Sequence, residues 1–244
     1  MTERESVQLE DAFLLHQRAY RNTSQIIECL TEEHGLVALV AQGSRRQKGG
    51  QRAILQPFFP LRISWIRRGE LGRLIHAEPR APASELEGRR LLAGFYLNEL
   101  VIRLLARGDA NASAYSCYSR ALVDLGAGVG TSASLRLFEY RFLEALGYGL
   151  NLNDEVETDE PIRADARYRF EPEVGARCVN GEITADDVFW GRELISLRNE
   201  NLEDEATLRA ARRLLARALQ PYLGDRPLRT RAVLKDLVAA GVEL

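Results

Sequence analysis

The sequence predicts an α+β protein in which a small N-terminal β-barrel precedes a mainly α-helical region. Three observations predict this class. About five short apolar or alternating runs, typical of strands, fall within the first 80 residues. Two prolines between residues 78 and 83 mark a boundary, and broad helical periodicity follows it. The 244 residues suffice for one large domain or for two to three small ones.

The predicted barrel strands are short and are separated by turn residues. They comprise Ala12–Leu15, Ser24–Leu30, Leu36–Ala41, Leu61–Arg67 and Arg73–His76. The second and third flank the five residues TEEHG, in which Gly35 can take the positive φ of a hairpin connection. The fourth alternates apolar and polar residues over its first five positions, as a half-buried strand does. This number of strands suits an OB-fold, although SH3-like barrels give a similar pattern.

Beyond the proline segment, apolar residues recur with helical spacing. The range Leu91–Leu105 has a broad apolar surface, which is typical of a buried helix. A second helix is predicted at Ala114–Leu125. A third is predicted at Ala133–Leu146 and should end at Gly147, a natural C′ glycine.

Residues 151–181 are acidic and irregular, with weak strand character only at Ala166–Phe170. Helices are predicted to resume near Asp187 and over Ala206–Tyr222, where Asp204 and Glu205 precede the first turn and suit the helix dipole. The predicted organisation is a barrel domain at 1–80, a first helical part at 83–150, an irregular acidic insert at 151–184 and a C-terminal helical part at 185–244.

The net charge of −2 hides a strong segregation of charge along the chain. Residues 43–73 hold eight basic residues and one acid, whereas residues 151–175 hold eight acids and three arginines. Lys48 and Lys235 are the two lysines, and the other basic residues are arginines, whose guanidinium groups bind phosphate or carboxylate through two parallel hydrogen bonds. Local charge is therefore a better guide to partners than the total.

Several classes of function find no support in the sequence. The histidines are scattered, and Cys29, Cys117 and Cys178 form no CxxC pair, so we expect reduced thiols in a cytosolic protein and no metal site. The run GAGVG at 126–130 lacks the Lys-Ser/Thr of a phosphate loop, and no GxSxG elbow is present. No apolar run fits a membrane span or a secretory signal. We therefore expect no enzyme activity, no cofactor and no membrane partner.

Nucleic acid is the partner class that the basic segment favours over a merely solvated hairpin. The stretch VAQGSRRQKGG leads from a predicted strand into a glycine-rich loop, and OB-folds bind single strands with positive loops and stacked aromatics. The candidate DNA-binding residues are Arg21, Arg45, Arg46, Lys48, Arg52, Arg67 and Arg68, and Arg62 and Arg73 add positive charge from nearby strands. The candidate aromatic platforms are Tyr20, Phe58, Phe59 and Trp65, although the apolar neighbours of the last three favour a core position for them.

A second basic feature lies on the last long predicted helix. Arg209, Arg213 and Arg217 recur every four residues along the edge of its apolar face. The alternatives are a solvated face that nearby acids balance and a docking site for an acidic peptide, and before any family resemblance is considered the sequence favours the solvated face.

Short motifs spread over nearly the whole chain together resemble the RecO family of bacterial recombination mediators. In chain order they are TEEHG at 31–35, VAQGSRR at 40–46, LQPF at 55–58, FYLNEL at 95–100, LRLFE at 135–139, LGYG at 146–149 and YLGDRPLRTR at 222–231. The resemblance implies an OB domain followed by a helical domain with a small insert.

The resemblance also implies a non-enzymatic activity. Members of the family bind single- and double-stranded DNA and anneal complementary strands. With RecR, they help to load RecA onto DNA coated by single-strand binding protein (SSB), in RecF-pathway repair of gaps and breaks. Such a role implies a cytoplasmic, nucleoid-associated protein.

Two details of the resemblance concern the helical region. Many members carry a four-cysteine zinc module after the LGY motif, but here the segment reads NLNDEVE and offers Cys178 alone, so we expect a zinc-finger-like insert without zinc. The acidic, apolar-ended tail of SSB is a partner class of the family. The implied tail-binding residues are Arg136, Leu137, Leu146, Leu208, Arg209 and Arg213. For Arg136, pairing with a neighbouring acid is an equal alternative.

Two further interpretations remain open on the sequence. An adaptor protein would use the basic loop to bind an acidic protein partner without contacting DNA. A nuclease would need clustered acids and a divalent metal ion.

Overall fold

The computed structural model describes residues 5–45, 51–82, 85–128, 130–179 and 185–233, and it confirms the α+β class. The chain forms two compact units. The first comprises Met1–Gly128 together with Leu228–Leu244, and the second comprises Val129–Pro227. The predicted division into four segments is a different partition and stays a prediction.

The first unit is built on a closed barrel. Its strands are β1 (Glu5–Tyr20), β2 (Ser24–Thr31), β3 (Gly35–Ala41), β4 (Pro60–Arg67) and β5 (Leu71–Pro79), with a short helix α1 (Gln51–Ile54) between β3 and β4. The order around the barrel is β1-β2-β3-β5-β4; β3 and β5 are parallel, and the other neighbours are antiparallel. This five-stranded barrel confirms the predicted OB-like fold.

The first strand is much longer than the predicted four-residue run. Bulges interrupt its pairing with β4 between Val7 and Glu10, and its pairing with β2 between Leu14 and His16. Because a bulge bends a strand and shifts its alternation, no single period-2 pattern extends over β1. The bent strand pairs with β4 through its first part and with β2 through its second, and so closes the barrel.

The barrel interior is apolar and encloses the fully buried ring of Trp65. Burial in this core, helped by the nearby charge of Glu28, raises the pKa of the Cys29 thiol to about 12. Cys29 is therefore a neutral packing residue at ordinary pH. The buried members of the core are Ala12, Leu14, Ile27, Cys29, Val37, Leu39, Ala41, Leu55, Leu61, Ile63, Trp65, Leu74 and Ala77.

Two helices, α2 (Gly88–Leu104) and α3 (Ala112–Gly126), pack against each other, and α2 packs on β1. The buried amide of Asn98 donates to the Leu15 carbonyl (2.8 Å) and accepts from the Tyr118 hydroxyl (2.6 Å). The ring of Phe13 contacts those of Tyr115 and Tyr118, with centroids 5.4 and 5.2 Å apart. This part of β1 is thus buried on both faces, which explains its continuous apolar run.

The second unit combines helices with a small antiparallel sheet. Its elements are α4 (Thr131–Ala145), β6 (Arg167–Glu171), β7 (Gly175–Val179), β8 (Val188–Trp190), α5 (Gly191–Arg198) and α6 (Glu205–Leu223). The sheet order is β7-β6-β8, and α6 packs against α4, α5 and β6. Helix α4 ends as predicted, shortly before Gly147 at φ +82. Within the described part of the chain, none of the helices has the length and apolar character that a bilayer crossing needs.

The start predicted for the helix near Asp187 is wrong. Val188, Phe189 and Trp190 form β8 instead, which pairs with β6, because β-branched and aromatic residues fit a pleated, half-buried surface. Helix α5 begins only afterwards, where the Glu193 carboxylate accepts the backbone N–H of Trp190 (2.9 Å). The segment 151–184, predicted to be irregular, contains strands β6 and β7 in its described part. Strand β6 matches the weak strand predicted at Ala166–Phe170.

Candidate nucleic-acid interface

An open groove of about 520 Å³ lies on the barrel of the first unit. Its lining residues come from the β1–β2 turn, the end of β3 and the β4–β5 hairpin. In the barrel, Val40 of β3 and Ile66 of β4 both pair with Arg73 of β5, so these three strands lie side by side at the groove. Among the described lining residues, four are arginines and none is acidic. The lining comprises Tyr20, Arg21, Val40, Gln42, Ile66, Arg67, Arg68, Leu71, Gly72 and Arg73.

Three of the four groove arginines are exposed and belong to tight turns or outward strand positions. Arg21 occupies the β1–β2 turn at φ +53, and its guanidinium carbon lies 5.1 Å from the centroid of the Tyr20 ring. Arg68 opens the β4–β5 turn, which reverses through Gly69 at φ +78. Arg73 points outward from β5 beside the inward Leu74. Such exposed guanidinium groups can hydrogen-bond phosphate oxygens.

The fourth groove arginine, Arg67, is partly neutralised within the protein. Its Nε donates to Oε2 of Glu5 at 2.7 Å, and both side chains are partly exposed. The other oxygen of Glu5 lies 3.3 Å from Nε2 of His34. The sequence offers no signal for the pairing of Glu5 with Arg67, because 62 residues separate the two partners.

The predicted DNA-binding residues divide into two groups in the structure. Arg21, Arg67 and Arg68 line the groove. Arg45 is exposed, and its backbone N–H donates to the Thr23 carbonyl (3.1 Å), which joins the segment after β3 to the β1–β2 turn. The remaining predictions lie outside the described residues: Arg46 and Lys48 as whole residues, and Arg52 in its side chain.

Arg62 and Arg73, the two other described arginines of the basic segment 43–73, differ in what their side chains contact. Arg73, which the sequence predicts to add positive charge from a neighbouring strand, lines the groove. Arg62 contacts Asp11 instead (3.4 Å), and Arg80 contacts the same carboxylate (2.9 Å). Position along the strand, rather than basic charge alone, decides which arginines reach the groove.

The aromatic candidates separate clearly by burial. Trp65 and Phe58 are buried, and Phe59 packs against the barrel core, so these three rings take the core position that the sequence allows as the alternative. Tyr20 is half-buried and lines the groove beneath Arg21. Among the predicted platforms it is the ring that the structure brings to the arginines.

The predicted tail-binding residues lie on α4, at its C-terminal end and on α6 of the second unit. Arg209 is two-thirds exposed and lies 3.5 Å from Glu205 one turn earlier, in a pair that water screens. Arg213 lies with its guanidinium 4.9 Å from the centroid of the Phe189 ring. The predicted apolar partners, Leu137, Leu146 and Leu208, are each half-buried.

Arg136 differs from the exposed arginines of α6. It is 8% exposed, and its Nη2 donates to Oε1 of Glu139 at 2.6 Å. Its Nε is buried and has no hydrogen-bond partner among the described residues. Pairing with a neighbouring acid, the alternative that the sequence leaves open, is therefore present.

The carboxylate of Glu155 organises the segment where related chains are expected to bind zinc. Its Oε2 accepts from the N–H groups of Glu157 (3.0 Å) and Thr158 (2.7 Å) and from the Thr158 hydroxyl, while Oε1 accepts from the Cys178 N–H (3.2 Å). Burial alone would raise the pKa of Glu155, but these hydrogen bonds lower it below its ordinary value. Among the described residues, no group of three or more His, Cys, Asp or Glu side chains could hold a metal ion.

Comparison with known proteins identifies the family. The family described as Recombination protein O N terminal matches residues 6–83, and Recombination protein O C terminal matches residues 86–232. The chain is 39% identical over 230 residues to the DNA repair protein RecO of Methylococcus capsulatus, with 94% of each chain covered. It is 41% identical over 235 residues to that of Nitrosococcus oceani, with 96% of each covered. Over 236 residues it is 41% identical to that of Coxiella burnetii, covering 96% of this chain and 100% of the relative. The chain therefore belongs to the RecO family.

Proposed function

We propose that this protein is a non-enzymatic recombination mediator that binds single- and double-stranded DNA and anneals complementary strands. Its role in DNA repair and recombination follows from its family. The observation that carries the DNA-binding proposal is the groove lined by Arg21, Arg67, Arg68 and Arg73 without an acid among its described lining residues. Arginines that neutralise phosphates release condensed counterions, and this release drives binding to any sequence.

Annealing by such a surface needs electrostatics rather than bond chemistry. Two phosphate backbones repel each other, and a basic groove lowers that repulsion while the base edges stay free to pair. Tyr20 offers a partly exposed ring on which a base can stack without sequence preference. The groove therefore suits a protein that must hold strands of arbitrary sequence.

The test is charge reversal in the groove. We expect the triple variant Arg21→Glu, Arg68→Glu and Arg73→Glu to lose most of its affinity for a fluorescently labelled oligonucleotide. We also expect the slope of log affinity against log salt to fall by about 0.7 for each lost contact to single-stranded DNA. Fluorescence anisotropy over a series of salt concentrations measures both quantities.

A single charge reversal outside the groove, compared with Arg68→Glu alone, separates the groove from general charge. Arg89→Glu changes the net charge of the same unit and places an acid in the first turn of α2, where the helix dipole favours it. This variant should bind DNA nearly as the wild type does. If the triple variant kept both its affinity and its salt slope, the adaptor hypothesis, in which basic residues bind an acidic protein, would replace the DNA-binding one.

For DNA coated by SSB, we propose that the protein docks on the acidic tail of SSB through Arg209 and Arg213, with Arg136 and the half-buried Leu137, Leu146 and Leu208 of the same unit contributing. Support comes from the exposure of Arg209 and from the long Glu205 contact, which a tail carboxylate can replace at little cost. We further propose that the protein acts with RecR to help load RecA, and that it works in the cytoplasm at the nucleoid.

The tail proposal predicts a selective defect in annealing. Arg209→Ala should anneal bare strands like the wild type but anneal SSB-coated strands more slowly. Arg192→Ala, which removes an arginine from α5 instead, is the control. A variant of Arg209 that failed equally on bare and coated DNA would contradict tail docking without affecting the groove.

A further inference from the structure

A chain of ionisable side chains connects the barrel wall to the arginine groove. Oε2 of Glu10 lies 2.6 Å from Nδ1 of His34, and Nε2 of His34 lies 3.3 Å from Oε1 of Glu5. Oε2 of Glu5 then accepts from Nε of Arg67 at 2.7 Å. Arg67 is itself part of the groove lining.

Backbone contacts fix the inner end of this chain. Glu10 is 7% exposed, and its Oε1 accepts the N–H groups of Glu33 (2.7 Å) and His34 (3.1 Å). The His34 side chain is 27% exposed, and its ring stands edge-on to the Trp65 ring with centroids 5.4 Å apart. The histidine is therefore held in place while one edge stays open to water.

The charge of His34 decides how Glu5 is shared. The described charged groups that contact this network are Glu5 and Glu10 from β1 and Arg67 from β4, and Glu33 of the same turn as His34 contacts it through its backbone N–H. With His34 neutral, Arg67 is the one cation among the described residues that the Glu5 carboxylate contacts, so Glu5 pairs with Arg67 alone. With His34 protonated, Glu5 is shared between two cations, and a phosphate can compete for Arg67. Histidine is the side chain that ordinarily changes charge between about pH 5 and 8.

We propose that His34 is a positioning residue that, through Glu5, makes the grip of Arg67 on the DNA backbone depend on pH. The inference rests on the proposed function of the groove. Affinity for DNA should fall as pH rises and His34 loses its proton. This assigns a role to the histidine of the TEEHG motif that packing alone does not require.

The test compares pH profiles of oligonucleotide binding between about pH 5.5 and 8.5. Wild-type affinity should fall several-fold over this range, and the salt slope should fall by up to about 0.7, the equivalent of one phosphate contact on single-stranded DNA. His34→Gln, which keeps hydrogen-bonding groups but cannot carry the charge, should bind weakly at every pH with a flatter profile. In the background Arg67→Ala, His34→Gln should have no further effect.

Two controls make the profile specific. His16 and His76 are the other two histidines, and both are exposed. The double variant His16→Gln and His76→Gln should keep the pH-dependent part of the DNA affinity that is assigned to His34. The fluorescence of Trp65, isolated by Trp190→Phe, should follow His34 protonation without DNA, because protonated imidazole quenches a neighbouring indole. That signal should vanish in His34→Gln.

The outcomes separate this inference from the proposed function. Groove-dependent binding with the same pH profile in wild type and His34→Gln would overturn the inference and leave the groove intact. Binding that ignores Arg21, Arg68 and Arg73 would contradict the proposed function and the inference with it.

Discussion

At the scale of single residues, the motif FYLNEL is explained by the polar partners of its members in the first unit. Asn98 joins the Leu15 carbonyl to the Tyr118 hydroxyl inside an apolar interface. Glu99 accepts the N–H groups of Arg229 (2.7 Å) and Thr230 (2.9 Å), which follow the last described loop. Two adjacent side chains thus tie one helix to a strand, to a second helix and to the returning end of the chain.

Asn98→Ala should destabilise the protein by about 1–3 kcal/mol, because it leaves both buried partners without their hydrogen bonds. The free energy of unfolding can be measured by urea denaturation. Tyr118→Phe removes only one of these bonds and should cost less. Equal stability of wild type and Asn98→Ala would show that the buried hydrogen bonds contribute nothing.

Glu155 should make stability depend on pH in the acid range. Its folded pKa is lowered by hydrogen bonds despite burial, so its contribution is fully present above the ordinary carboxyl pKa and is lost as pH falls through the folded value. Glu155→Gln, which cannot supply two anionic oxygens, should therefore be less stable than wild type at neutral pH. The gap between the two should narrow below about pH 4.

Thermal or urea unfolding of both proteins at several pH values measures this gap. Glu157→Gln is a suitable control, since Glu157 shares the same segment but is more than half exposed. A stability gap for Glu155→Gln that stayed constant from neutral to acid pH would contradict the assignment.

At the scale of elements, the β2–β3 hairpin shows why the motif TEEHG ends in glycine. Gly35 has φ +61, and a Cβ placed there would lie 1.9 Å from the carbonyl oxygen of Asp109. The neighbouring Leu36 carbonyl accepts from the Gly108 N–H (3.0 Å), so the turn and the loop after α2 approach backbone to backbone. Both the positive φ of Gly35 and the close approach of the Asp109 carbonyl therefore exclude a side chain at this position.

Gly35→Ala should therefore cost roughly 3 kcal/mol or more. Gly69→Ala is the matched control, because Gly69 has φ +78 in the β4–β5 turn but none of the described residues comes within 4 Å of where its Cβ would lie. It should cost only about 1 kcal/mol, from backbone strain alone. Similar losses for the two variants, measured by urea denaturation, would show that the close approach to Asp109 is unimportant.

The same elements show what could be predicted from the sequence. The β2–β3 hairpin was predictable because its apolar runs flank a glycine turn, although Thr31 and Gly35 pair and shorten the connection. The length of β1 was not, because its bulges break the alternation. Strand β8 was missed because three residues are too few to show a period.

The candidate interface divides in the same way. Charge density over residues 43–73 was enough to locate the basic turn that carries Arg68. The strand register that brings Arg73 beside Val40 and Ile66 depends on long-range pairing. The neutralisation of Arg67 by Glu5 likewise requires the closed barrel, in which β1 lies next to β4.

At the scale of the whole molecule, charge and chain path are organised by unit. The described groove arginines belong to the first unit, and the acid-rich residues 151–175 belong to the second. The second unit is inserted into the first, since the chain returns at Leu228, which is buried. The net charge of −2 is thus the sum of a basic segment in the first unit and an acidic segment in the second.

This organisation predicts that the two proposed activities can be separated by deletion. A variant in which a flexible linker of about ten residues replaces residues 129–227 should keep salt-dependent oligonucleotide binding, because the whole groove and the Glu99 contacts to Arg229 and Thr230 remain. It should lose any dependence of annealing on the SSB tail, because α4 and α6 are absent. Near-UV circular dichroism checks that the barrel core around Trp65 is intact. If such a folded variant still distinguished SSB with its tail from tail-less SSB, the tail would dock on the first unit, and the assignment to Arg209 and Arg213 would be wrong.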